Sequence, residues 1–271
     1  MKFSVLLSVY VKENPANLFS ALESIWDNQS LKPNEIVLVQ DGPLTDQLEN
    51  VLVQFSKKCS VFKMIQLNEN VGLGRALNIG LDECSYDIVA RMDTDDVAFP
   101  NRFEEQIKFM KHNPEVDILG AWVDEFENKI DNIISHRRVP ECHDDIRSFM
   151  KKRNPFNHPS VMYRKSKVLD AGSYLDFHLN EDYYLWARMA AKGAKFYNLP
   201  KSLLFFRTGS EMFKRRGGWR YAVQDFKLQK EFKKLGLINT MEFMSNTSMR
   251  CVARLIPNSI RGILYKKVLR N

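Results

Sequence analysis

Apolar residues run almost unbroken from Phe3 to Tyr10 (FSVLLSVY), the pattern of a strand covered on both faces. Asn14-Pro15 follows, an N-cap residue ahead of a proline suited to the first helical position. Leu18, Leu22, Ile25 and Trp26 then recur at helical spacing. A second buried run, EIVLV over residues 35–39, stops at the turn signal Asp41-Gly42-Pro43. A helix near residues 44–57 leads to a third apolar run, FKMIQL, at 62–67. Asn70–Gly74 opens a helix that reaches about Cys84, and a fourth strand, DIVARM (87–92), runs into Asp93-Thr94-Asp95-Asp96.

Strands alternating with helices at this interval predict βαβ units and an α/β fold built on a mostly parallel sheet. Ligands of such sheets sit beyond the carboxyl ends of the strands. Tyr10, Asp41 and the aspartate cluster all fall there. Unrelated loops have no reason to share that placement, so it is the strongest physical pointer to a site.

The pattern changes after residue 100. Phe103, Ile107 and Met110 mark a helix, and residues 117–123 and 130–134 read as strands of a mixed extension. The loop Asn154-Pro155-Phe156-Asn157-His158-Pro159 leads to SVMYR and a short helix ending near Asp170. Glu181-Asp182 opens a helix with Leu185, Trp186 and Met189 on its apolar side. Two short strands, KFYNL and SLLFF, follow, and then a Gly- and Arg-rich segment at 209–220 that is expected to be mobile. Met249, Val252, Leu255, Ile256, Ile260, Ile263, Leu264 and Val268 give the tail an apolar stripe interleaved with Arg and Lys.

Charge changes the picture. Residues 201–271 hold 16 basic and 4 acidic side chains, a net +12, whereas the first 200 residues carry −5. The last quarter is therefore expected to meet phosphate, nucleic acid or an anionic membrane. Hydrophobic residues make up 44% of the 271, enough to bury a core. The four cysteines lack metal-ligand spacing, which excludes a zinc cluster and points to free thiols in a reducing compartment. No apolar stretch approaches the ~20 residues of a membrane span, and the N-terminal run is too short for a signal peptide. The expectation is a cytoplasmic or peripheral protein.

Three carboxylates within the four residues Asp93–Asp96 repel one another unless a cation neutralises them, and hard oxygen ligands suit Mg²⁺ or Mn²⁺. The plainer reading is a solvated acidic turn. Asp41 can accept from a nucleobase or a ribose hydroxyl, or simply precede a turn glycine. Tyr10 can stack on a base or close a core strand. Arg75, in the first turn of its helix, opposes the macrodipole and calls for an anionic partner. Glu181-Asp182 can supply a general base or only stabilise a helix start. His158 is a loop histidine, of a kind more often structural than functional. Lys214-Arg215-Arg216-Gly217-Gly218 can close over a pyrophosphate or remain a solvated charge run.

In order along the chain, Phe3–Tyr10, Asp41-Gly42, Asn70–Asn78, Met92–Asp96 and Asn180–Trp186 resemble the landmarks of glycosyltransferase family 2, which has the GT-A fold. The resemblance covers roughly residues 1–210. NHPSVMYR, NLPKSLLFFR and RRGGWR resemble its O-antigen and capsular-polysaccharide branch, including amylovoran-type enzymes.

The resemblance implies a GT-A domain over 1–210, with a nucleotide-binding half (about 1–100) and an acceptor half (about 101–210), and a basic helical extension over 211–271. Val9, Tyr10, Asp41, Arg75, Asp93 and Arg216 would bind the nucleotide-sugar donor, usually a UDP-sugar. Asp93 and Asp95 would hold Mn²⁺ or Mg²⁺. Asp182, with Glu181 beside it, would be the catalytic base of an inverting transfer. His158 and Trp186 would face a saccharide acceptor, lipid-linked in this branch. The family often has arginine where this chain has Leu77, and Arg75 would have to replace it from the adjacent turn. The tail, from Arg250 and Arg254 to Arg270, is expected to lie as amphipathic helices on an anionic membrane or else to pack as a hairpin on the domain.

Two rivals are weaker. A sugar-nucleotide pyrophosphorylase would carry a long Gly-rich basic loop after the first strand, where this chain has only Lys12-Glu13-Asn14-Pro15. A nucleic-acid-binding module would explain the basic tail, but its charges interleave with aliphatic rather than aromatic residues, so no nucleic-acid partner is expected.

Overall fold

The computed structural model describes residues 1–177, 179–209 and 218–255. The first half alternates as expected: β1 (Phe3–Val9), α1 (Pro15–Ile25), β2 (Glu35–Gln40), α2 (Asp46–Lys58), β3 (Phe62–Gln66), α3 (Leu73–Glu83) and β4 (Ile88–Arg91). The second half adds β5 (Val97–Ala98), α4 (Arg102–His112), β6 (Ile118–Phe126), β7 (Ile133–Arg137), α5 (His143–Met150), β8 (Met162–Arg164), α6 (Lys165–Asp170), α7 (Glu181–Ala191) and β9 (Phe196–Arg207). Two more helices, α8 (Trp219–Lys234) and α9 (Thr240–Leu255), follow.

The strands form one sheet in the order β3-β2-β1-β4-β8-β6-β9-β5, with β7 paired to the later part of β6, beyond the β8 contact. The ladders β3-β2-β1-β4 are all parallel, so β1, β2 and β4 end on the same edge and deliver Tyr10, Asp41 and Asp93 together. Beyond β4 the sheet is mixed, and its longest ladder, β6 with β9, is again parallel.

β1 explains its own unbroken apolar run. Phe3, Val5, Leu7 and Val9 point into a core shared with α1, α2 and α4, while Leu6 joins the opposite core with α3, α5, α7 and α8. Side chains alternate faces along a strand, so a strand covered on both faces must be apolar throughout. At Gly80 of α3 a Cβ would lie 2.5 Å from Leu6 and 2.7 Å from Val39, so only glycine lets the helix sit this close to the sheet. Asn14 caps α1 as its sequence suggests, its Oδ1 accepting from Ala16 N at 2.8 Å.

Three differences have physical causes. KFYNL and SLLFF are one strand, β9, because the ladder skips the residues around Pro200: Ala121 pairs Leu199 and Trp122 pairs Ser202. The proline has no N–H to contribute, and the bulge removes it from the ladder. The C-terminal helix starts at Thr240, well before the apolar stripe read from Met249. α5 and α8 are rich in charge, and their apolar positions are too sparse to stand out.

Candidate active site

Asp41 is buried at the end of β2, and its carboxylate organises the neighbouring loop. Oδ1 accepts from Val71 N at 2.7 Å, and Oδ2 from Asn70 Nδ2 at 3.0 Å and Gly72 N at 3.2 Å. Three of about four acceptor positions are thus engaged, and one remains for a ligand. Gly42 has φ +86°, and a Cβ there would meet Asn70 N at 2.7 Å. Val9 is core: its side chain is buried and its carbonyl accepts from Asp41 N at 2.8 Å, so it supports Asp41. Tyr10 is 42% exposed on the same edge, free to stack. Arg75 projects into solvent from the first turn of α3, 4.0 Å from Asp176.

Oxygen atoms of Asp93, Asp95 and Asp96 lie within 4.8 Å of one another. Asp93 is paired with Arg91, a fully buried arginine at the end of β4. Asp96 is buried; Oδ1 accepts from Arg207 N at 2.8 Å, while Oδ2 has no hydrogen-bond partner. Burial, then repulsion from Asp93 and Glu13, pushes the Asp95 carboxyl up to about 7. Asp96 is pushed well up by burial and by Asp95 and Asp93. Glu13, from the loop after β1, accepts from Thr94 Oγ1 at 2.8 Å and adds to the negative potential. Crowded carboxylates with an unpartnered buried oxygen are the donor set that a hard divalent cation satisfies.

Asp182 stands in the first turn of α7, partly buried, with Oδ2 accepting from Asn154 Nδ2 at 2.7 Å. Burial raises its carboxyl above the ordinary range, and the Asn154 amide and the Tyr183 N–H oppose that rise. Glu181 accepts from Leu179 N at 3.2 Å, and its Cγ would lie 3.3 Å from a Cβ on Gly74, so the first turns of α7 and α3 abut. Asn78 ties the intervening loop to α3: Nδ2 donates to Tyr174 O at 2.6 Å and Oδ1 accepts from Tyr174 N at 2.8 Å. Burial raises the Tyr174 phenol, and both Asp93 and Asp182 act on it electrostatically. The Tyr174 Cβ would lie 3.7 Å from a Cβ on Gly74, so this buried tyrosine sits where the first turns of α3 and α7 meet.

His158 is half-buried, its Nε2 3.0 Å from the Tyr174 hydroxyl. Burial, with Arg91 nearby, depresses it well below the usual histidine value, so it is neutral. Trp186 has no exposed surface. It packs edge-on against Phe156 and His158 and forms the floor beneath the site, so it cannot touch an acceptor as its sequence position suggested.

Residues 4–172 match glycosyl transferase family 2. The chain belongs to that family. It is 42% identical over 269 residues, 98% of each chain, to the amylovoran biosynthesis glycosyltransferase AmsE of Erwinia amylovora. It is 39% identical over 269 residues, 99% of this chain and 97% of the other, to the UDP-Gal:alpha-D-GlcNAc-diphosphoundecaprenol beta-1,3-galactosyltransferase of Escherichia coli. Residues 1–349 of S. aureus TarS in complex with UDP-GlcNAc superpose with a TM-score of 0.65 at 17% identity, covering 99% of this chain and 76% of that one. The chain spans 46% of the longer TarS structure. As a family 2 glycosyltransferase with a GT-A fold, the protein is an enzyme.

Arg207, Arg91 and Asn154 are site residues that sequence reasoning missed. Arg207 and Arg91 sit within ordinary strands, and only the fold shows what they touch. Arg216 lies outside the described residues. Arg250 and Arg254, expected to face a membrane, turn inward: both bond to the buried Asp225 of α8, at 2.8 and 2.7 Å, and Arg250 Nη2 also donates to Lys152 O at 2.7 Å. A buried carboxylate needs cationic partners more than the bilayer does. The tail beyond Leu255, with Arg261, Lys266, Lys267 and Arg270, is outside the described residues.

Proposed function

We propose that this glycosyltransferase moves a hexose, with inversion at the anomeric carbon, from a UDP-sugar to a lipid-linked saccharide acceptor in surface-polysaccharide assembly. One observation supports the reading: a cation-type carboxylate cluster follows β4, and a separate carboxylate, held by Asn154 and raised by burial, opens α7.

Asp93, Asp95 and Asp96 would hold Mn²⁺ or Mg²⁺, which neutralises charge on the departing diphosphate. The Asp41-organised loop and Tyr10 receive the nucleoside, with Arg75 at the loop's helix entry. Asp182 accepts the proton of the attacking hydroxyl on the face opposite the leaving group. Direct displacement then turns an α-linked donor into a β-linked product. Neutral His158 beside Asp182's helix offers a hydrogen bond to the acceptor. The E. coli relative, named for a β-1,3 transfer to a diphosphoundecaprenol acceptor, supports this class of chemistry.

A lipid-linked acceptor calls for a membrane-facing surface on the cytoplasmic side. Among the described residues no helix is long and apolar enough to cross a membrane. On α9, Met241, Met244, Ser245, Ser248 and Met249 are exposed at i, i+3, i+4, i+7 and i+8, and α8 adds exposed Phe226, Lys227, Lys230 and Lys233. Apolar side chains beside lysines form an interfacial face for anionic lipid. The deciding experiment is a donor screen of purified protein, with and without Mn²⁺, on a GlcNAc-diphosphate-lipid analogue. Turnover of a UDP-sugar to a β-linked product is expected; an α-linked product overturns the inverting mechanism.

A further inference from the structure

We infer that Asn154 is a positioning residue that fixes the orientation of the Asp182 carboxylate toward the acceptor; this rests on the reading of Asp182 as the base. Asn154 lies 28 residues before Asp182 and donates Nδ2 to its Oδ2 at 2.7 Å. The amide cannot be turned over without loss, because Asn154 Oδ1 already accepts from Phe156 N at 3.2 Å. Its nitrogen is thereby committed to Asp182.

The loop that carries Asn154 is rigid. Phe156 packs edge-on against Trp186 and Phe196, with ring centroids 5.6 and 5.7 Å apart. Asn157 Nδ2 donates to Ala121 O at 2.8 Å, and Asn198 Nδ2 donates to Pro155 O at 3.1 Å. A side chain held this firmly can aim a carboxylate within the tolerance that proton transfer requires.

The contact also has an electrical consequence. A donor to the ionised form favours that form, and here it opposes the desolvation that pushes the carboxyl up. With Asn154 Nδ2 on Oδ2 and the Tyr183 N–H also on the carboxylate, its orientation is held while an acceptor position remains for the incoming proton. A merely structural Asn154 would tie the loop to α7 and leave the base's titration alone.

The test compares wild type, Asn154→Ala and the isosteric Asn154→Asp in the full chain. Carbon-13 carboxyl NMR, assigned by Asp182→Asn, follows the Asp182 midpoint, and kcat is measured against pH with the UDP-sugar that supports turnover. Asn154→Ala should raise both the midpoint and the acid limb of kcat by about one unit, which is about tenfold in rate below the midpoint. Asn154→Asp should raise them further by like-charge repulsion. UDP affinity should stay within about twofold, since the donor lies elsewhere. An unchanged midpoint in both variants overturns the inference. Full activity of Asp182→Asn would instead overturn the base assignment, and the NMR midpoint would still report whether Asn154 governs that carboxylate.

Discussion

Arg207 and Asp96 are 111 positions apart in the chain, yet the Arg207 backbone N–H donates to Asp96 Oδ1 at 2.8 Å. Its side chain continues the contact, with Nε donating to Asp95 O at 2.9 Å and the guanidinium 4.5 Å from the centre of the Phe126 ring. The end of β9 thus braces the aspartate turn that follows β4. Arg207→Met should keep the fold but loosen that turn, and Mn²⁺ affinity measured by calorimetry should fall about tenfold for the loss of a charge-adjacent hydrogen bond. Unchanged affinity would show that the backbone contact alone holds the turn.

Asp95→Asn should abolish transfer without unfolding the chain. Loss of a cation ligand at a developing diphosphate removes several kcal/mol of transition-state stabilisation, at least about a hundredfold in rate. Chelation with EDTA should do the same, and Mn²⁺ should restore the wild type but not the variant. Near-normal turnover in EDTA would exclude the metal role.

Asp182→Asn should lower kcat far more than it changes donor KM, because a base acts on the acceptor in the transition state. The sign of its pH dependence follows from its raised carboxyl. Wild-type kcat should be full above that raised value and fall as pH drops through it, with the limb above the ordinary aspartate value of 3.8. Glu181→Gln should be milder, since Glu181 bonds to Leu179 N in the loop before α7 and a glutamine oxygen can still accept there.

Asp225→Asn should destabilise the C-terminal helix pair. Asp225 is 3% exposed in its side chain and joins Arg250 and Arg254 of α9. Removing one partner of such a buried ion cluster costs about 3 kcal/mol, a shift of several degrees in thermal unfolding. Turnover on a soluble acceptor should be affected far less than the melting temperature.

Met241, Met244 and Met249 are 81%, 63% and 60% exposed. Replacing all three by serine should reduce co-sedimentation with anionic vesicles and leave turnover on a water-soluble acceptor intact. High salt should release the wild type, because the lysines of α8 act through a screened charge. Equal binding to neutral and anionic vesicles would argue against this face.

Much of the first half was readable in sequence, since strands covered on both faces cannot disguise their apolar runs. The candidate carboxylates stood out because Asp41 and Asp93–Asp96 follow β2 and β4, parallel strands on either side of β1, and Asp182 opens a helix. The supports were not. Arg91 looks like a surface residue within DIVARM yet is fully buried against Asp93, and nothing local signals that. Asn154 meets Asp182 only across the fold. Trp186 misled because an apolar helix face and a sugar-stacking aromatic share the same spacing, and only burial distinguishes them. Arg250 and Arg254 misled for the same kind of reason: the buried carboxylate that claims them sits on another helix.

The unbroken hydrogen-bonded order from β3 to β5 has a mechanical meaning. Strand β4 of the first half pairs with β8 of the second, and β5, just after the aspartate turn, pairs with β9. A hinge between these halves would have to tear ladder bonds buried in the middle of the molecule. The sheet is thus one continuous plate, and the aspartate turn that follows β4 is carried on it. Loops at the rim of such a plate can vary in length and sequence without disturbing the strands that carry the turn.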